Sequence, residues 1–199
     1  MKHKLWIAAG LLIAASRPAA AEFPLPTVSF TGEAKLCIVV DGKDDCSPAT
    51  IFYTPARFRS ESGVGDGREV ALYDMIKKTV TVIDFGEKNY SITPFDPKSD
   101  DLNVPFLPAR GDYARVGEEA ASGVPTVKYK ISANHDGTRS NGFVWISADN
   151  IVRRMQLTAS LPRNVTVVIK FDVTKLVIGP VDAASLEVAI PSDFKKTDQ

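Results

Sequence analysis

The sequence predicts a mainly β protein: a single antiparallel sheet of about nine to eleven strands, with one or two short helices. Three observations carry this. Apolar residues recur with a period of two through most of the chain, the spacing of strands with one buried face. The links between such segments are short, as at Asp41-Gly42, Gly86-Glu87-Lys88 and Ala148-Asp149-Asn150, and links this short join antiparallel neighbours. Helical periodicity is confined to two brief stretches. A chain of 199 residues, 44% hydrophobic, has enough apolar surface to fold around one core.

The first element is an address. Lys2, His3 and Lys4 precede the uncharged run Leu5–Ala15, and Ala19-Ala20-Ala21 follows Ser16-Arg17-Pro18. A basic start, an apolar stretch and a small-residue site describe a secretory signal peptide, expected to be cleaved after Ala21. The apolar run would rise only about 16 Å as a helix, against a hydrocarbon core of about 30 Å, so it does not read as a membrane anchor. The later apolar runs are short and interrupted by charge, so no transmembrane segment is expected. Residues 1–21 are read as the signal peptide and residues 22–199 as one β domain of the periplasm.

Removing the leader changes the charge balance. The full chain has 24 Lys+Arg, 24 Asp+Glu and two His. Without Lys2, Lys4 and Arg17 the count is 21 against 24, a net of −3, and His135 is the one histidine left. No basic excess exists to neutralise phosphates, so nucleic acid is not an expected partner.

Cys37 and Cys46 flank Asp41-Gly42 in KLCIVVDGKDDC. Asp-Gly between apolar runs marks a two-residue type I′ turn. Counting outward pairs Val40 with Lys43, Val39 with Asp44, Ile38 with Asp45 and Cys37 with Cys46, the last on a non-hydrogen-bonded pair where side chains approach most closely. In an oxidising compartment this predicts a cross-strand disulfide. Two free, buried cysteines are the alternative.

Further strands are expected at Arg57–Glu61, Glu69–Met75, Thr79–Phe85, Asn89–Thr93, Val127–Ser132, Phe143–Ser147, Ile151–Thr158 and Val165–Val173. In the last, Val165, Val167, Ile169, Phe171 and Val173 share a face. Ile151, Arg153, Met155 and Leu157 share another, which Arg153 interrupts. Pro94–Arg110, with four prolines, reads as a long loop crossing an end or face of the sheet, with a short helix possible over residues 99–102; a linker is the alternative. Ala183–Leu186 and Gly117–Ser122 are the two stretches that fit a helical turn.

Reactive constellations are scarce. His135 lies in a turn-like Asn134-His135-Asp136-Gly137, no G-x-S-x-G elbow is present, and no second histidine or spare thiolate exists to hold a metal. Glu118 and Glu119 are adjacent and would point to opposite sides of a strand. The chain is therefore read as non-enzymatic, with no catalytic residue, cofactor or metal. Arg57 and Arg59 alternate with Phe58 on one strand; they fit either a solvent-facing ladder or a rim that meets an anionic head group.

Several segments together resemble a known group. Tyr53-Thr-Pro-Ala-Arg-Phe-Arg-Ser-Glu61, Ala71-Leu-Tyr-Asp-Met75, Lys78–Asp84 and Lys88-Asn-Tyr90 look like the N-terminal half of the outer-membrane lipoprotein-sorting, LolA/LolB-like superfamily. Gly142–Ile146, the turn at Asp149-Asn150, Ile151–Met155 and the closing Ile190-Pro-Ser-Asp-Phe194 are similar to its second half. The resemblance spans roughly residues 27–196. It implies that the antiparallel sheet is curled into an unclosed half-barrel around a hydrophobic concavity, with a lipophilic ligand.

The expectation is thus a binder of a lipid or other amphipathic ligand, held in the concave face by Phe143 or Trp145, Met155, Val167, Ile169 and Phe171, with Arg57 and Arg59 on a polar rim. The rival is an envelope scaffold with a packed interior and a protein partner. A monomer is expected in either case.

Overall fold

The computed structural model describes residues 24–95, 104–135, 138–161 and 165–197. Residues 1–21, read from sequence as a signal peptide, and residues 99–102, read as a short helix, lie outside them. Twelve strands form one sheet: β1 Phe30–Val40, β2 Lys43–Tyr53, β3 Arg57–Ser62, β4 Glu69–Asp74, β5 Thr79–Asp84, β6 Asn89–Pro94, β7 Asp112–Ala121, β8 Val124–His135, β9 Thr138–Ile146, β10 Val152–Leu161, β11 Val165–Ile178 and β12 Lys195–Lys196. Their order is β12-β6-β5-β4-β3-β2-β1-β11-β10-β9-β8-β7. Strands β1 to β6 thus march outward by hairpins to one edge. The chain restarts at the opposite edge with β7 and returns by hairpins to β11, which pairs with β1. The connection between β6 and β7 has to cross the sheet, and its residues Val104, Phe106 and Leu107 pack into the core.

Twelve strands exceed the nine to eleven expected, and the sheet is not wholly antiparallel. Gly117–Ser122, read as a possible helical turn, is the end of β7. Its helix-forming Glu and Ala residues pair with β8, and Ser122 and Gly123 take positive φ (52° and 73°) to close a tight turn. Pairing across the sheet overrides local propensity there. The other addition, β12, pairs in parallel with β6 over two residues, too short to leave a periodic signal. Ala183–Leu186 is a 3-10 turn, its first turn capped by the Asp182 carboxylate, which accepts from the Ala184 N–H at 3.2 Å.

The β1–β2 hairpin has the predicted register throughout, with Asp41 and Gly42 at φ 51° and 76°. Cys37 and Cys46 are disulfide-bonded, 4.0 Å apart at Cα.

Laid flat, twelve strands would span about 53 Å. Instead one buried cluster draws on β1, β2, β3, β8, β9, β10 and β11 together with Phe95, Val104, Phe106 and Leu107. The sheet must curl for these to meet. We call the face carrying this cluster the inner face. A cross-strand file of rings runs along it: Phe30 to Tyr53 (4.9 Å between centroids), Tyr53 to Phe58 (5.5 Å), Phe58 to Tyr73 (4.4 Å) and Tyr73 to Phe95 (5.3 Å). Each such ring gains about 1.5–3 kcal/mol by leaving water, so this file anchors the β1–β4 half. The Tyr53 hydroxyl donates to the Pro26 carbonyl at 2.9 Å, and burial pushes its pKa up to about 12.

The pattern that Arg153 interrupts is resolved by a bulge. The register between β10 and β9 shifts between Val152 and Arg154. Val152, placed by simple alternation on the outer side with Arg154, is instead buried in the core. The extra residue lets the strand change which side it buries.

Candidate functional site

The inner face divides into a covered part and an uncovered part. Phe106 plugs the centre. Its ring meets Phe171 edge-on at 4.9 Å, and its backbone carbonyl accepts from the Val152 N–H at 3.0 Å. Beneath it lies Gly32, where an added Cβ would stand 2.5 Å from Phe106 Cε1. Between this plug and a floor of small residues, Ala49, Ser60 and Ala71, a cavity of about 160 Å³ remains. Glu69, beside it, is held above the usual carboxylate range by burial and by Asp84, which faces it across β4–β5.

Beyond the plug, the strands β1, β10 and β11 continue. Cross-strand register sets Leu157 beside Ile169 beside Ile38, and Ala159 beside Val167 beside Val40. Leu161 pairs with Val165 one step further out. These rows share the side of the sheet that buries Phe171, because each lies an even number of residues from it or from its partners. Ile38, Val40, Leu161 and Val165 are 37–45% exposed, so this aliphatic stripe runs from the core into solvent.

Of the residues the sequence assigned to a concave site, the structure brings Met155, Val167, Ile169 and Phe171 together on this inner face. Phe143 and Trp145 are not among them. Their neighbours Val144 and Ile146 take the inner positions, and Phe143 and Trp145 face outward among cations. Lys128 Nζ lies 4.9 Å from the Phe143 ring and 4.6 Å from the Trp145 ring, and the Arg154 guanidinium lies 5.5 Å from Trp145. Such contacts are worth about 0.5–1 kcal/mol each at exposed sites.

Arg57 and Arg59 also lie on the outer face, at the other half of the sheet. Arg57 Nη2 donates to Asp74 Oδ2 at 3.0 Å across β3–β4. The Asp74 carboxyl is held below its usual range by the Lys77 backbone N–H, with the Arg57 guanidinium adding to this. Arg59 pairs with Glu61 and donates from Nη1 to the carbonyls of Ser185 (2.9 Å) and Glu187 (2.8 Å). These arginines fasten a C-terminal strap to the outer face. They do not rim the stripe.

Sequence reasoning missed Ile38, Val40 and Leu157 as stripe residues. A signal was present: Ile38-Val39-Val40 is an apolar run facing Lys43, Asp44 and Asp45 across its hairpin, more apolar surface than a free hairpin tip needs.

At the β7 edge lies an open groove of about 570 Å³, lined by Glu118, Pro125, Val127, Tyr129 and Ile146 among others. On the outer side of the same edge Lys128 Nζ donates to Glu119 Oε2 at 3.2 Å. Among the described residues no group of three or more His, Cys, Asp or Glu is placed to hold a metal ion. No helix among them is long and apolar enough to cross a membrane.

No family model and no curated protein match this chain. Solved structures do. An uncharacterized conserved protein from Thermus thermophilus is 12% identical over 86% of this chain and 90% of its own, with a TM-score of 0.54, a likeness of fold. MucB in its Pseudomonas aeruginosa complex with MucA is 17% identical over 81% of this chain, with a TM-score of 0.46; the chain covers only 56% of that one. A LolA superfamily protein from Nitrosomonas europaea is 8% identical over 82% of this chain and 91% of its own, at a TM-score of 0.35.

Proposed function

We propose that this is an exported, non-enzymatic protein of the periplasm that binds the apolar chain of an amphipathic ligand along the uncovered stripe of its inner face. One observation carries the reading: Ile38, Val40, Leu161 and Val165 are large, aliphatic, partly exposed and aligned with Leu157, Val167 and Ile169 on one side of the sheet. From Val165 to Phe171 the stripe follows six residues of strand, about 20 Å. A ligand methylene buried there gains about 0.8 kcal/mol. An alkyl chain long enough to follow the stripe gains several times that, whereas a small apolar solute does not offset the cost of association. The leader sequence and the Cys37–Cys46 disulfide support export to an oxidising compartment.

The packed centre narrows this proposal. The sequence reading expected an open concavity; Phe106 occupies its middle, so the ligand lies on an open surface beside the plug.

Titration of the mature chain with a fluorescent long-chain fatty acid tests the reading. Saturable binding is expected, weakened about tenfold or more by Val167→Asp, which sets a charge in the middle of the stripe. Unchanged binding in Val167→Asp and Ile38→Asp, with the fold intact by circular dichroism, would remove the stripe as the site. No binding by the wild type would leave the scaffold reading.

A further inference from the structure

The two edges of the sheet are treated differently. At β6 the edge is closed by β12, with the Thr197 N–H donating to the Tyr90 carbonyl at 2.8 Å. At β7, a ten-residue strand, no strand pairs with the outer side among the described residues. β7 contains no proline and no lysine; its guards against edge-to-edge pairing are a central bulge and charged side chains, and a matching strand has to accommodate both. Val116, in its middle, is 57% exposed.

The strand also carries a charge pattern that is its own complement. The midpoint of Asp112–Ala121 falls between Val116 and Gly117, with Arg115 and Glu118 at equal distances on either side. Three residues apart, they would fall on opposite faces of a regular strand. A bulge between Arg115 and Gly117 shifts the register, so that Arg115 opposes Tyr129 and Glu118 opposes Val127. Tyr129 and Val127 lie two apart on β8 and share a face, so Arg115 and Glu118 do as well. In the single chain the two pair with each other at 2.8 Å, both exposed, an arrangement worth little and easily exchanged.

We propose that β7 pairs antiparallel with β7 of a second copy about a two-fold axis at Val116/Gly117. Such an axis stands perpendicular to the sheet and keeps inner faces together, so each Arg115 lies opposite the partner's Glu118. Tyr113 then faces Ala120, Ala114 faces Glu119 and Asp112 faces Ala121, with no like charges opposed. The interface is isologous and closes on itself. It joins the two sheets into one, and it places the partner's Arg115 at the rim of the groove that Glu118 lines. A foreign extended peptide is the other conceivable occupant, but nothing about β7 selects one, whereas its charges select themselves.

Sedimentation of the mature chain over about 1–100 µM tests the pairing. The wild type is expected to pass from one copy to two. Arg115→Glu alone, or Glu118→Arg alone, sets like charges opposite each other twice per dimer and is expected to raise the dissociation constant about tenfold or more. An equimolar mixture of the two single variants restores opposite charges across the axis and is expected to dimerise more tightly than either variant alone. A wild type that stays a single copy throughout overturns the proposal, including one that instead binds an extended basic peptide. So do single variants that associate like the wild type, and a mixture no more associated than its components.

Discussion

Gly32 holds the cover of the inner face in place by having no side chain. Its backbone lies under Phe106, and a Cβ there would also stand 3.1 Å from Leu176 Cδ1. Phe106 is fully buried in a packed interior that tolerates added volume poorly, and Leu176 packs against its border. Gly32→Ala is therefore expected to lose about 1–3 kcal/mol of stability in urea unfolding, the usual cost of overpacking. The ring it displaces is also the plug beside the stripe, so the same variant should bind a fatty-acid probe at least as well as the wild type while being less stable. A Gly32→Ala protein as stable as the wild type would show that Phe106 yields freely and that the plug is not a fixed part of the fold. Arg153 makes a different point at the same scale. Its Nε and Nη1 are buried without a hydrogen-bond partner, and burial pulls its pKa down against the opposing charge of Asp149. It sits at the bulge, where a strand changing its buried side leaves one side chain poorly placed.

Among the elements, the β1–β2 hairpin is the one whose geometry was fully legible. A two-residue turn fixes register, and register fixes which cysteines meet. The bridge closes a short loop, with a sequence separation of nine, for which chain-entropy arguments give about 2–3 kcal/mol. The double substitution of Cys37 and Cys46 by Ser is expected to lower stability by that amount, and thiol counting under non-reducing conditions should find none in the wild type. Other elements were legible only as strands. In Phe143-Val144-Trp145-Ile146 every position is apolar, so alternation exists but its sense does not show; only the pairing of Val144 with Tyr129 and Met155 decides it. Arg57 and Arg59 were legible as a charged strand face, but their partners Asp74, Ser185 and Glu187 lie 17 to 128 residues away. Bulges at Arg115/Gly117 and Val152/Arg154 changed faces within β7 and β10, and no local residue pattern announces an inserted residue.

At the scale of the molecule, the outer face has its own cover, and this makes a prediction about how the sheet is held together. Val70 and Ile83, paired across β4–β5 on the side that carries Leu72 and Arg59, are fully buried although they face away from the main core. The segment laid over that side is the C-terminal strap. Leu186 is buried, Phe194 meets Phe85 at 5.3 Å, Lys88 and Asp193 approach to 3.8 Å, and Arg59 grips two strap carbonyls. Among the described residues the strap's 3-10 turn packs on β2 and β3, and its last strand on β6. A chain ended after Gly179 is therefore expected to lose hydrogen-exchange protection in β4, β5 and β6 while β8 to β11 keep theirs, because stability is drawn from local cover as well as from the shared core. Arg59→Met is the milder test. It leaves the carbonyls of Ser185 and Glu187 without their donor where water can reach them, at a cost of about 0.5–1.5 kcal/mol, and should loosen the same three strands without removing the strap. Equal loss of protection across all strands in both variants would mean that the sheet unfolds as one unit and that the strap stabilises the whole of it.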